Sequence, residues 1–497
     1  MAKKWEQRGQ KMSALRALKI VAISVIAAAI SLFLIIFWMY VLDQNEPRRW
    51  TEAELIFRLV FLPAVAFLLT VFVAKDHLTK ASDPVNAQLE QPLPRDDEHF
   101  KAQVVGIQWL NPLIRRDYPT EWQLLWALGV VKPNLHDDEV QRDPAVFTTV
   151  QSIAPIAYGG RGSKFPLFFE GYVWNAIKPI GRGYAADGQY FYTIQPKKTE
   201  RWKELHGIHV EFAIPDISEL PKDQAGDILR RAFEKEFEFA NTELSTANIP
   251  ADVNFIKGGA SAGFASLSAG MDYLEAHPEK TVWVMNMDAP EFPEYGRISE
   301  NCTLLILAGP KFNTGREPLA WIARPAVRRV EDFATTEGES RTASAWKGAI
   351  QSAAEQAKIS PYEIRYVIHD AGKGTEEAGR RIGTLAQAMT QNLPELDVLK
   401  HSFNTPQLLG DMRAGTAITN VALAIAWAHH KGRPVMVAGT TEPDKATAVM
   451  VTPPDRARVF DPEKNWFRAR GEGYAYLPWW GLRKDLDWST YMQGYSD

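Results

Sequence analysis

From residue 101 onward the chain alternates short apolar runs with longer amphipathic ones. The segment 102–110, "AQVVGIQWL", reads as a strand, and 120–131, "TEWQLLWALGVV", begins on Thr120 as a cap and continues with apolar residues at helical spacing. Segment 207–216, "GIHVEFAIPD", alternates as a strand does. In 225–244 the residues Ile228, Leu229, Ala232, Phe233 and Phe237 form one stripe of a helix whose charged face is solvated. "TVWVMNMDAP" (281–290) and "CTLLILAGP" (302–310) are almost continuously apolar and β-branched, which predicts central strands covered on both faces. Cys302 in the second reads as packing. The last third predicts helix (340–359), strand (364–372), helix (376–389), helix (414–430) and two strands (433–441 and 447–454). A small-residue helix followed by apolar strands occurs in both the middle and the final third, a weak internal repeat of pattern. Helix and strand alternation with buried strands predicts a layered α/β architecture.

The N-terminal pattern is of another kind. Residues 20–42, "IVAISVIAAAISLFLIIFWMYVL", are uncharged and apolar, and as a helix would be about 34 Å long against a hydrocarbon core of roughly 30 Å. Trp38 and Tyr40 suit an interfacial aromatic belt, and the run is longer than a signal-peptide core. A second run, 59–74, carries Pro63 and begins beside Arg58; with 55–57 it is long enough to span if Arg58 snorkels. The expectation is a transmembrane helical hairpin. Lys3, Lys4, Arg8, Lys11, Arg16 and Lys19 precede the first run, so the start, and after two crossings the body, is expected in the cytoplasm at an inner membrane; if the second run lies against the membrane or the body instead of crossing, the body falls on the opposite side. Residues 81–100, rich in proline and charge, read as a linker. The expected organisation is an anchor at 1–80, a linker at 81–100, an N-terminal α/β region at 101–240, a C-terminal region at 241–455 and an aromatic extension at 456–497.

Composition narrows the chemistry. A chain of 497 residues with a formal net charge of −4 has no bulk electrostatic attraction for nucleic acid, and no basic patch with interleaved aromatics supplies one locally. One cysteine excludes an internal disulfide and a cysteine-based zinc cluster. No His, Asp and Glu group has metal-ligand spacing, and "GRGYAADG" and "HDAGKGT" lack the order of a phosphate loop, so no cofactor is expected.

One motif raises the question of catalysis. Gly259-Ala260-Ser261-Ala262-Gly263 is a G-x-S-x-G between a strand-like "VNFI" and a helix, the context of a nucleophile elbow. Ser261 would need a histidine and an orienting acid. In hydrolase order these could be Asp370 with His401 or Asp411 with His429; His369 with Asp411 is the further candidate set, His369 lying at the end of a strand. His429 and His430 end an apolar helix and suit its C-terminal end. The alternative to a serine acyl hydrolase or acyltransferase is that glycines and alanines from Gly258 to Gly270 thin the helix so that another element can approach closely, with Phe264, Leu267, Met271 and Leu274 as the packing stripe.

Three stretches carry a resemblance. "GGASAGFASLSAGMDYLEAHPEKTVWVMNMDAP" resembles the strand, buried central helix and strand of thiolase-like and ketoacyl synthase folds. "VIHDAGKGTEEAGR" resembles their histidine-glycine-threonine loop, and "NTPQLLGDMRAGTAITNVALAIAWAHHKGRPVMVAG" their later glycine-histidine loop, helix and strands. The resemblance implies two pseudo-repeated βαβ-rich halves over about residues 100–455. It also implies lost chemistry: where those synthases hold a thioester cysteine this chain has about Ala260, beside Ser261, and Asp411 stands where a charge-stabilising histidine would, leaving His369 as the one survivor. The wider arrangement resembles the adaptor proteins of type VI secretion phospholipase effectors. That resemblance implies a non-enzymatic, membrane-associated protein that binds a lipase effector in the cytoplasm and helps deliver it to the secretion spike. Trp466, Tyr474, Tyr476, Trp479, Trp480, Trp488, Tyr491 and Tyr495 crowd the extension, where they either anchor a partner or wrap over the chain's own body.

Overall fold

A computed structural model describes residues 99–110, 120–130, 165–178, 180, 209–216, 219–236, 252–289, 301–313, 317–335, 338–397 and 400–457. All lie in the second of two compact units, Glu98–Asp497. Eleven strands form one sheet among them. The first set is β1 (Lys101–Leu110), β2 (His209–Ile214), β3 (Asp252–Lys257), β4 (Thr281–Asp288) and β5 (Asn301–Ala308). The second is β6 (Trp321–Ala323), β7 (Ala326–Arg329), β8 (Tyr366–His369), β9 (Ser402–Asn404), β10 (Val435–Gly439) and β11 (Lys445–Thr452). The helices are α1 (Thr120–Ala127), α2 (Phe165–Ile177), α3 (Lys222–Glu236), α4 (Ala262–Ala276), α5 (Arg341–Ala357), α6 (Glu376–Asn392), the short α7 (Thr405–Leu409) and α8 (Thr416–Lys431).

The spatial order β3-β2-β4-β5-β1-β6-β11-β10-β8-β9, with β7 also on β11, reveals the duplication. Read outward from the β1–β6 joint, each half runs first strand, last strand, penultimate strand, then the two middle ones. In the first half β2 is parallel to β3 and β4 while β4 and β5 are antiparallel; in the second, β8 is parallel to β9 and β10 while β10 and β11 are antiparallel. Here α4 and α8 hold equivalent places, each leading into an antiparallel strand pair. The repeat glimpsed in the sequence is therefore a repeat of topology.

Alternation along the strands sets the layers. Trp283 of β4 meets Phe233 of α3 at 4.9 Å between ring centroids, and Phe212 of β2 stacks on Phe169 of α2 at 5.3 Å. Val282 and Val284 face the other way, onto Gly270 of α4. In the second half Val435, Val437, Val449 and Val451 join the core that contains α4 and α8. Their neighbours Met436, Ala438, Ala446, Ala448 and Met450 pack instead with Trp346 and Ile350 of α5 and Leu385 and Met389 of α6. So α4 and α8 lie between the two half-sheets, with α2 and α3 outside one and α5 and α6 outside the other.

Local signals match these roles. Ser340 caps α5 by accepting from the Ala343 amide, Thr375 caps α6 through Ala378, and α8 ends on Gly432 with a positive φ. Every residue of α8 from Thr416 to Ala426 is buried, which is why apolar residues surround most of it, with Thr416, Thr419 and Asn420 as the exceptions.

One expectation is corrected. No helix among the described residues is long and apolar enough to cross a membrane. The longest, α5 and α6, have 17 residues and carry charges, and the apolar α8 has 16, below the ~20 that a bilayer requires. The runs 20–42 and 55–74 lie outside the described residues. The transmembrane hairpin, the inner-membrane location and the membrane as a partner are withdrawn, and the cytoplasmic placement of the body that followed from the hairpin goes with them. The aromatic extension at 456–497 also lies almost wholly outside the described residues.

Candidate functional site

Ser261 stands immediately before α4 with φ −87° and ψ −10°, an ordinary helical conformation. A nucleophile elbow holds its serine on a strained turn. Here the non-glycine residues of positive φ, among those described, are Lys358 and Arg413. The Ser261 hydroxyl donates to Glu442 Oε1 at 2.7 Å, and Glu442 Oε2 lies 3.0 Å from Lys445 Nζ. A serine that donates to a salt-bridged carboxylate is tied by that bond across the two halves of the chain.

The other members of the expected set are placed elsewhere. His369 ends β8, where it pairs in register with Ala438 and shares the face of Val367. Both neighbours belong to the cluster under α5 and α6, so His369 and α4 are on opposite faces of the half-sheet. Its Nδ1 accepts from the Ala371 amide at 3.3 Å, and burial pushes its pKa down to about 4, so the ring is neutral. Asp411 is exposed and accepts from the Arg413 amide. In the alternative pairs, Asp370 is buried and accepts from both the amide and the hydroxyl of Thr440, His401 accepts from the Asp397 amide, and His429 bonds Leu319 O at 2.7 Å. Each of these side chains is engaged in local structure, and none of their hydrogen bonds joins it to Ser261. Cys302 is buried and its thiol is pushed above its usual range by desolvation, as packing requires. Among the described residues no group of His, Cys, Asp and Glu is arranged to hold a metal.

What the chain does build is a polar seam where the central helices start. Gly263 of α4 faces Ala417 and Ile418 of α8, and Gly439 at the end of β10 faces the ring of Phe264. Asn301 is wholly buried: its Nδ2 donates to Gly415 O (2.7 Å) and Thr419 Oγ1 (2.6 Å), and its Oδ1 accepts from Trp109 Nε1 (3.1 Å). Asp288, its partner in register, accepts from the Ala289 and Ala414 amides. Burial pushes the Asp288 carboxyl up to about 7, although those amides and Arg413 pull the other way. Thr303 and Thr419 share a hydrogen bond at 2.8 Å, and Thr405 donates to Asn420 at 2.6 Å. The start of α8 is thus pinned by the first half of the chain, while the serine before α4 is pinned by the second.

Sequence reasoning passed over Asn301, Asp288 and Glu442. The signal for the first two was present: "VWVMNMD" and "NCTLL" place polar residues at the ends of strands otherwise apolar on both faces, and such groups must find partners.

A protein-family model described as "Type VI lipase adapter protein Tla3, C-terminal" matches residues 319–453. Over those residues the chain is similar to the C-terminal part of that adapter family. The matched stretch runs from just before β6 to just after β11, the whole second half of the duplication, and includes α8 but not Ser261. Among solved structures the chain is similar to an oxazolomycin ketosynthase domain of Streptomyces albus, at 12% identity and a TM-score of 0.43 over 74% of this chain and 100% of that one. It is similar also to a module 1 ketosynthase of the bacillaene synthase of Bacillus amyloliquefaciens (14%, TM-score 0.45, 74% and 75% covered) and to the ishigamide ketosynthase/chain length factor (14%, 0.42, 71% and 98%). No curated protein matches the chain. The relaxed, carboxylate-bound Ser261 gives the acyl-transfer reading no support among the described residues.

A direct check follows. Purified protein is expected to remain unlabelled by a fluorophosphonate probe, and Ser261→Ala to lower stability by no more than about 1 kcal/mol, the worth of one half-buried hydrogen bond. Labelling that disappears in Ser261→Ala would reinstate the acyl-transfer reading.

Proposed function

We propose that this protein is an adaptor that binds a phospholipase effector and helps load it onto the spike of a type VI secretion system. The observation that carries the reading is the adapter-family match across the complete second half of the body. The chemistry of the site supports it: the serine of the G-x-S-x-G motif is held by Glu442, and the histidine and acid it would need are engaged elsewhere. A binding role asks for rigid, well-buried elements presenting a fixed surface, and the seam at α4 and α8 supplies that rigidity.

The test is co-purification. Full-length tagged protein co-expressed with the phospholipase effector of the same secretion cluster is expected to retain the effector, and then to recruit the spike protein when that is added. Deleting residues 456–497 asks whether the aromatic extension contributes to the capture. Absence of any complex between soluble, folded partners would overturn the adaptor reading. Capture of the effector without recruitment of the spike would overturn the loading step alone.

A further inference from the structure

Away from the seam, at the opposite end of the parallel strands, His209 begins β2 with each ring nitrogen against a carboxylate. Nδ1 lies 2.7 Å from Asp252 Oδ2 on β3, and Nε2 lies 2.8 Å from Glu211 Oε1 on its own strand. Glu211 is itself held, its Oε2 accepting from Asn254 Nδ2 at 2.8 Å. His209 pairs in register with Asp252 and Glu211 with Asn254, so the four side chains form a ladder on one face of the strand pair. Over that face lies α4: the ring of Tyr273 stacks on His209 with centroids 3.9 Å apart and planes 5° from parallel, and His277 sits behind Tyr273 at 4.6 Å. On the other side β4 presents Val282 in register with His209. Glu211 and Asp252 are therefore the charged groups that face the imidazole; burial, and after it the charges of Asp252 and Glu279, push the Tyr273 phenol up.

A neutral imidazole has one N–H and one lone pair, so it can donate to only one of the two carboxylates. The other would then face a lone pair at hydrogen-bond distance. With both carboxyl groups ionised, only imidazolium satisfies both. Among the described residues β3 pairs with no strand but β2; Phe255 ties one of its faces to Phe212, and this ladder ties the other. We propose that His209 is a proton-operated clasp that pins β3 and the far end of α4 to β2, and that alkaline pH opens it.

The direction of titration agrees. Burial alone lowers the His209 pKa, but the hydrogen bonds and charges of Glu211 and Asp252 more than offset it, and the net shift is upward. A raised folded-state value means that the clasp contributes fully below the unfolded value of about 6.5 and is lost as pH rises through the folded one.

Hydrogen exchange at the imidazole carbon of the full-length protein, followed by mass spectrometry, gives the His209 pKa directly; a value above about 6.5 is expected, and one at or below it overturns the proposal. Amide exchange, corrected for intrinsic rates, is then read on peptides spanning 252–257 between pH 6 and pH 9. Wild-type protection of β3 is expected to fall across this range by roughly tenfold for each unit of pKa shift. In His209→Gln protection should be low and flat. Should that variant fail to fold, Asp252→Asn serves: its side chain is 78% exposed, and removing one carboxylate should move the midpoint to lower pH. Protection of β3 that is independent of pH in the wild type, or equally dependent on it in both variants, would refute the clasp.

Discussion

Asn301→Leu is expected to lower the unfolding free energy by about 2–4 kcal/mol. The substitution keeps the heavy-atom count and the branching at Cγ and removes both an acceptor and a donor from a site with no access to water. Trp109 Nε1, fully buried on β1, loses its acceptor. The carbonyl of Gly415 keeps its bond from the Thr419 hydroxyl, so the loss at the start of α8 is partial. The leucine methyls, wider than the amide, would also crowd Gly415, whose α-carbon already approaches Asn301 so closely that a Cβ there would lie 2.9 Å from Nδ2. Urea denaturation should show a lower midpoint at an unchanged m-value, since the native surface is the same. Adding Trp109→Phe removes the orphaned donor, and the pair should recover part of the loss. Additivity of the two single changes would mean that the Trp109–Asn301 bond is not what Asn301 supplies.

That seam marks where sequence reading succeeds and where it stops. The elements were legible because their cause is local: β-branched apolar runs became β4, β5, β10 and β11, and Ser340 and Thr375 announced α5 and α6. The burial of α8 was legible too, since an apolar circumference has few other uses. Partners were not legible. Ser261 and Glu442 are 181 residues apart, and nothing in either neighbourhood says that one half of the chain caps the other. The motif around Ser261 misleads for a physical reason. G-x-S-x-G is what a hydrolase needs for a sharp turn, and equally what a central helix needs for close approach; only backbone angles separate the two uses. His369 was placed correctly at a strand end, but the face it occupies depends on a register with β10 that no local pattern fixes. The seam and the β2–β3 clasp share one logic, in which polar residues inside strands mark contacts that hold the halves and the edge in place.

The close approach itself can be tested by sign. In most helices Gly→Ala stabilises, because alanine has the higher helix propensity by about 1 kcal/mol. Gly379 on α6 is such a position: it is exposed, and an added Cβ meets nothing within 4 Å. Gly379→Ala should therefore raise the midpoint of unfolding. At Gly263 the same methyl would lie 2.9 Å from Ala417 Cβ, 3.0 Å from Ile418 Cγ1 and 3.3 Å from the Ile418 amide nitrogen. Neither the backbone of a helix buried over this stretch nor a β-carbon attached to it can swing aside, so α4 and α8 must separate. Overpacking of this kind costs about 1–3 kcal/mol, enough to cancel or reverse the gain in propensity, and Gly263→Val, with two further methyls, should exceed it. The compensating pair Gly263→Ala with Ala417→Gly returns the space from the other helix and should recover most of the packing loss, less the propensity penalty now placed on α8. If Gly263→Ala instead stabilises as Gly379→Ala does, the two central helices are not in contact there, and the small residues around Ser261 need another explanation.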